Sequence, residues 1–165
     1  MITLVLGGAR SGKSTYAERL TGRLPAPITY VATLLVGDDQ DLSARVARHR
    51  QRRPAEWGTV EAGLDLPAVV RSLEGSMLLD SLGPWVALNG EAGGALSATL
   101  CRALTERSGD SVVVSEEVGL GVHPSSAAGR HFRDALGTIN QDVAEVADRV
   151  LLIVAGRALP LHRAP

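Results

Sequence analysis

The sequence predicts an α/β protein with a mostly parallel central sheet flanked by helices, and two observations predict it. Apolar runs of strand length alternate with helical patterns along the chain, which is how successive βαβ units read. The first unit carries Gly7-Gly8-Ala9-Arg10-Ser11-Gly12-Lys13-Ser14, a G-x-x-x-x-G-K-S loop, directly after the apolar run 2–6 and directly before a helical pattern over 14–20. Glycines let backbone N–H groups turn inward around a phosphate, and the helix that follows offers its unpaired N–H groups to the same anion. In such a loop Lys13 bridges the β- and γ-phosphates and the Ser14 hydroxyl holds Mg²⁺. The chain has 17 Lys plus Arg, yet Lys13 is its single lysine, so its one compact ammonium stands where a point charge on phosphate is wanted.

The remaining elements follow in order. Residues 28–32 read as the second strand and lead to Thr33-Leu34-Leu35 and an acidic turn, where Asp41 is a helix N-cap. That helix ends before Pro54, and 57–61 alternates as a short strand. A helix over 64–73 has Pro67 near its first turn. Residues 76–80 form a buried strand ending in Asp80, 89–94 a glycine-rich loop, and 97–107 a helix. The strand 111–115 leads to Glu116 and Glu117, then to a loop through Gly119 and Gly121. A long helix over 127–147 is interrupted at Gly137, and 150–154 is the last strand.

Composition bounds the rest. The length of 165 residues suits a single domain over 1–165 with a real core. A net charge of −1 gives no general attraction to nucleic acid or anionic membrane. Cys101 is the only cysteine, which excludes an internal disulfide or multi-cysteine zinc site and fits a cytoplasmic location. The apolar run 2–6 is too short for a signal peptide or a membrane span.

Parallel α/β sheets bind ligands at the carboxyl ends of their strands. The loop, Thr33, Asp80 and the Glu116/Glu117 pair all fall there. Asp80 closing an apolar strand suits a Walker B carboxylate within reach of a Mg²⁺ on Ser14. Glu116 or Glu117 adds a second carboxylate, on the metal or as base for an incoming hydroxyl; Glu117 is taken as the catalytic one.

Residues 45–54 place five arginines around His49. On a helix His49 shares a face with Arg45, Arg52 and Arg53. Guanidinium groups at roughly 6 Å would oppose its protonation by about 3 kcal/mol each at an effective dielectric near 20, leaving a free lone pair at neutral pH. Such an imidazole can attack the α-phosphorus of a nucleoside triphosphate while the arginines neutralise the departing pyrophosphate. A solvated basic face and a nucleic-acid contact helix are the plainer alternatives; the near-neutral charge and 3% aromatic content weigh against the second.

GGARSGKS, YVAT at 30–33, the segment A-R-V-x-x-H-R-x-R-R-P-x-x-W over 44–57, E-V-G-x-G at 117–121, R-x-F-R-D at 130–134 and Asn140-Gln141 occur in this order. Together they closely resemble the bifunctional adenosylcobinamide kinase / adenosylcobinamide-phosphate guanylyltransferase family of cobalamin biosynthesis. The resemblance implies a RecA-like P-loop NTPase fold, commonly a homotrimer. It implies phosphorylation of the aminopropanol hydroxyl of adenosylcobinamide with ATP or GTP, then transfer of GMP from GTP through a guanylylated histidine. By motif position that histidine is His49. Gly7, Gly8, Ala9, Arg10, Ser11, Gly12, Lys13 and Ser14 form the phosphate loop, and Thr33, Leu34, Leu35, Arg50, Gln51, Arg52 and Arg53 are nucleotide contacts. Glu61 and Asp80 are further nucleotide or metal contacts.

The chain departs from the family after Asp80, where Cys-Leu-Thr is usual and Ser81-Leu82-Gly83 stands here. Its carboxyl end follows the family pattern only loosely. A small-molecule kinase without the guanylyl step would leave the arginine segment idle, and a nucleic-acid module would leave the P-loop idle. A GTPase switch fits D-x-x-G at 80–83 but needs an N-K-x-D lysine the chain lacks. His123, His131 and His162 read as solvated or packing residues, and Trp57 and Trp85 as packing anchors.

Overall fold

The computed structural model describes residues 1–34, 53–90 and 93–163. Seven strands form one sheet: β1 (Ile2–Gly7), β2 (Ile28–Ala32), β3 (Gly58–Glu61), β4 (Ser76–Asp80), β5 (Ser111–Glu116), β6 (Arg149–Val154) and β7 (Arg157–Leu161). Their order is β3-β2-β4-β5-β1-β6-β7, parallel throughout except for the antiparallel pair β6 and β7. The helices are α1 (Lys13–Thr21), α2 (Leu66–Ser72), α3 (Leu82–Asn89), α4 (Gly93–Glu106) and α5 (Ala127–Val146), with a 3₁₀ turn at Gly63–Asp65.

Alternation along the strands builds two apolar layers, because successive side chains point to opposite faces. Leu4, Leu6, Leu79 and Val113 join Leu66, Trp85, Leu100, Leu136 and Ile139 on the face covered by α2 to α5. Val5, Tyr30, Leu78, Val112, Val114 and Ile153 meet Ala17 of α1 on the other. Trp85 is fully buried, and its indole N–H donates to the Leu64 carbonyl at 3.1 Å, so it anchors packing as expected.

Several elements differ from the sequence expectation. The helix expected over 64–73 divides into the 3₁₀ turn and α2, with Pro67 in the first α-helical turn, where its missing N–H is not needed. Residues 82–89 form a helix that Gly83 and Pro84 had hidden, Pro84 again sitting in a first turn. The helix expected to begin at 97 begins at Gly93. The long helix is not interrupted: α5 runs through Gly137, its buried Leu136, Ile139, Asn140 and Val143 outweighing the glycine's helix penalty of about 1 kcal/mol. Nor is 150–154 the last strand. Ala155 and Gly156, at φ 49° and 72°, form a two-residue turn with both φ positive, and β7 returns along β6. The helix expected between Asp41 and Pro54 lies outside the described residues.

Candidate active site

The glycine-rich loop joins β1 to α1 at the carboxyl end of the sheet. Arg10 and Gly12 take left-handed backbone, φ 56° and 92°, which turns successive N–H groups towards one concavity. The Ser11 amide donates to the Gly8 carbonyl at 3.3 Å, and Gly12 accepts from Tyr16 at 2.9 Å as α1 begins. From behind, the β6–β7 turn supports the loop: the Gly156 amide donates to the Ser11 carbonyl at 2.8 Å. Ala9 and Arg10 are exposed, while Gly8, Ser11, Gly12, Lys13 and Ser14 are half-buried.

Lys13 curls over the loop, its Nζ 3.4 Å from the Gly8 carbonyl oxygen and 3.6 Å from Glu116 Oε1. Ser14 Oγ donates to Asp80 Oδ1 at 3.2 Å, and Tyr30 Oη donates to Asp80 Oδ2 at 3.3 Å. Burial pushes the Asp80 carboxyl up from 3.8 to about 6, with the Glu116 charge adding to it and the Ser14 hydrogen bond opposing it. Burial also pushes the Tyr30 phenol upward, and the Asp80 charge acts in the same direction. A carboxylate whose pKa is raised, joined to a serine hydroxyl, is a place where a cation would favour the ionised form. The described residues hold no group of three or more His, Cys, Asp or Glu that could bind a metal by themselves. A hard cation taking one or two protein oxygens and completing its shell with phosphate and water suits Ser14 and Asp80.

The two adjacent glutamates diverge. Glu116 continues the Val112/Val114 side of β5, the face that carries α1. Its Oε1 accepts from Ser81 Oγ at 2.8 Å and its Oε2 from the Gly83 amide at 3.0 Å, so the carboxylate is fixed in two directions. A Cβ on Gly83 would meet Glu116 Oε2, so an alanine there would push the carboxylate out of this grip. Asn140 Nδ2 on α5 donates to the Glu116 carbonyl at 3.0 Å. Glu117 points the other way: its Oε1 accepts from the Gly119 amide at 2.7 Å, and it lines a groove of about 800 Å³ beside α5 with Arg133 and Asn140. The carboxylate beside Lys13 is therefore Glu116.

Among the other residues singled out in the sequence, Thr33 is buried and its hydroxyl donates to the Ser81 carbonyl, while Leu34 is half-buried. Glu61 is exposed at the end of β3. The Arg53 guanidinium stacks 3.6 Å from the centroid of the Tyr30 ring. His49, Leu35, Arg50, Gln51 and Arg52 lie outside the described residues. Sequence reasoning missed Tyr30, Ser81, Gly83 and Asn140 as site residues; Tyr30 and Asn140 stand in motifs that carry a signal, while Ser81 and Gly83 stand only in the departure after Asp80.

Fold and site together define a RecA-like P-loop nucleotide-binding enzyme. Solved structures agree on the fold. A prototypical ATPase from the type III secretion system of pathogenic bacteria superposes with TM-score 0.63 at 11% identity, over 96% of this chain and 56% of that one. The flagellar accessory protein FlaH of Methanocaldococcus jannaschii gives 0.52 at 14% identity, over 95% and 74%. The chain spans about half the length of the secretion ATPase. Residues 3–161 match the family model CobU, described as cobinamide kinase / cobinamide phosphate guanyltransferase. Relatives include the bifunctional adenosylcobalamin biosynthesis protein CobP of Pseudomonas aeruginosa, 39% identical over 100% of this chain and 99% of that one. The bifunctional adenosylcobalamin biosynthesis protein CobU of Salmonella typhimurium is 36% identical over 94% and 97%. The chain belongs to the cobinamide kinase / cobinamide phosphate guanyltransferase family, an enzyme family with two activities in cobalamin biosynthesis.

Proposed function

We propose that this single domain carries out both reactions at the carboxyl edge of its sheet. In the first, the aminopropanol hydroxyl of adenosylcobinamide attacks the γ-phosphorus of ATP or GTP, and the bond to the β-phosphate oxygen breaks. Residues 7–14 hold the phosphates, Lys13 balances their charge, and Ser14 and Asp80 hold Mg²⁺, which supplies electrostatic stabilisation to the transferring group. Glu116 takes the hydroxyl proton, the role assigned from sequence to Glu117. In the second, a His49 ring nitrogen attacks the α-phosphorus of GTP and pyrophosphate leaves, with charge balanced by Arg50, Arg52 and Arg53. A phosphate oxygen of adenosylcobinamide phosphate then displaces His49, giving adenosylcobinamide-GDP. Glu61, Thr33, Leu34, Leu35 and Gln51 are assigned to the nucleotide.

The observation that carries this reading is the convergence of Lys13, Ser14, Asp80 and Glu116 within hydrogen-bond and ion-pair distances at one sheet edge. Chain incubated with GTP labelled at the α-phosphate, without cobinamide, will retain acid-labile, base-stable label; His49→Ala will not. Lys13→Ala abolishes phosphoryl transfer. Wild type that phosphorylates cobinamide and takes no label would reduce the enzyme to a kinase. We further assign the active assembly as a homotrimer, which sedimentation equilibrium will test. Among the described residues, no helix is long and apolar enough to cross a membrane, and we assign the enzyme to the cytoplasm.

A further inference from the structure

Tyr30 is buried in the middle of β2, with Leu78 of β4 on one side and Thr59 of β3 on the other. Its two ends touch different machinery. The hydroxyl donates to Asp80 Oδ2 at 3.3 Å, and the other Asp80 oxygen accepts from Ser14 at 3.2 Å. The ring face carries the Arg53 guanidinium at 3.6 Å, a distance at which the charge is attracted by the π-face. Arg53 also donates to Thr59 Oγ1 at 3.4 Å, so it lies across the β2–β3 pair. It is the last arginine of the segment that contains His49.

We propose that Tyr30 is a positioning residue shared by the two reactions: its hydroxyl orients Asp80 for phosphoryl transfer, and its ring holds Arg53 for guanylyl transfer. The second half rests on the function proposed above. The two roles use different atoms of one side chain and are therefore separable. Tyrosine to phenylalanine removes the Asp80 contact and keeps the ring under Arg53. Tyrosine to leucine removes both. A purely structural residue would move both reactions together, in proportion to lost stability.

The experiment measures, in each variant, kcat for cobinamide phosphorylation and the rate of protein labelling from α-labelled GTP. Tyr30→Phe is expected to raise the ratio of labelling to phosphorylation about tenfold, the worth of one hydrogen bond to a charged group, with the effect in kcat rather than KM. Tyr30→Leu is expected to return that ratio to the wild-type range or below, because labelling falls as well. Arg53→Met is expected to slow labelling several-fold in the wild-type and Tyr30→Phe backgrounds, with little further effect in Tyr30→Leu. A ratio in Tyr30→Phe within twofold of wild type overturns the proposal, as does an Arg53→Met effect equally large in the Tyr30→Leu background. Wild type that phosphorylates but takes no label sinks the two-step reading instead. The kcat of Tyr30→Phe and the same Tyr30/Arg53 cycle on thermal unfolding then still decide the two contacts.

Discussion

Asp80→Asn should make the nucleotide-free enzyme more stable while ending its kinase activity. The Asp80 carboxyl has a pKa of about 6 in the folded chain against 3.8 ordinarily, chiefly because it is buried. A group whose pKa is raised by folding stabilises the fold in its protonated form; that contribution is complete below about pH 4 and is lost as pH rises through 6. The gap corresponds to about 3 kcal/mol at about 1.36 kcal/mol per pH unit. At pH 8 the wild type bears this cost and an asparagine does not. The amide keeps one acceptor oxygen for Ser14 or Tyr30 and gives up a charge-assisted bond, so a net gain of about 1–2 kcal/mol is expected. For a chain of this length that is a rise in Tm of roughly 3–6 °C. Urea unfolding without nucleotide at pH 8 and pH 4 measures the difference, which should be present at the first and small at the second. A variant less stable than wild type at pH 8, or a difference that does not shrink on acidification, would refute the reading that burial makes the Asp80 charge costly to the fold.

Three further substitutions test the site and its support. Glu116→Gln should lower kinase kcat by about 10²-fold or more, the usual scale of a lost general base, while Glu117→Gln stays within a few-fold of wild type; equal losses would place the base elsewhere. Gly83→Ala brings a methyl group against the Glu116 carboxylate, and should cost about 1–3 kcal/mol in urea unfolding and at least tenfold in kinase kcat. An alanine variant with normal kcat would mean that the Glu116 position is not needed. Trp85→Ala empties a fully buried site and loses the bond to Leu64; about 3–5 kcal/mol of destabilisation is expected by the same unfolding measurement.

The sheet and the phosphate loop were legible because their signals are local. Five-residue apolar runs and the glycine spacing need no knowledge of distant residues. Glu116 and Glu117 were not separable in the same way. Strand parity puts one on each face, but which face carries α1 depends on the register of β5 with β1, which pairs Gly7 with Glu116. Ser81 and Gly83 were hidden for a related reason: they act on a residue 33 to 35 positions further along the chain. Gly83 and Pro84, both poor helix formers, occupy the first turn of α3, where they cost least. The β7 strand was missed because Pro160 in its middle reads against a strand, and is tolerated here because β7 is the exposed edge of the sheet. Gly156 between β6 and β7 is the residue that a two-residue hairpin turn calls for, and with Ala155 it takes positive φ.

The strand order also bears on whether the two reactions use one pocket. Arg53 sits on Tyr30 of β2, and β4 and β5 separate β2 from the loop strand β1. That is three strand spacings, about 14 Å. His49 precedes Arg53 by four residues, and four residues of chain span at most about 14 Å. That tether allows His49 to face the loop or to turn away from it, so competition between the two donors decides between one pocket and two. If the guanylyl donor and the phosphoryl donor occupy the same loop in turn, a non-hydrolysable ATP analogue should suppress His49 labelling by GTP competitively, with an inhibition constant equal to its constant against the kinase step. Labelling that proceeds at full rate under saturating analogue would require a second triphosphate site, and the loop from Gly7 to Ser14 would then serve the kinase step alone.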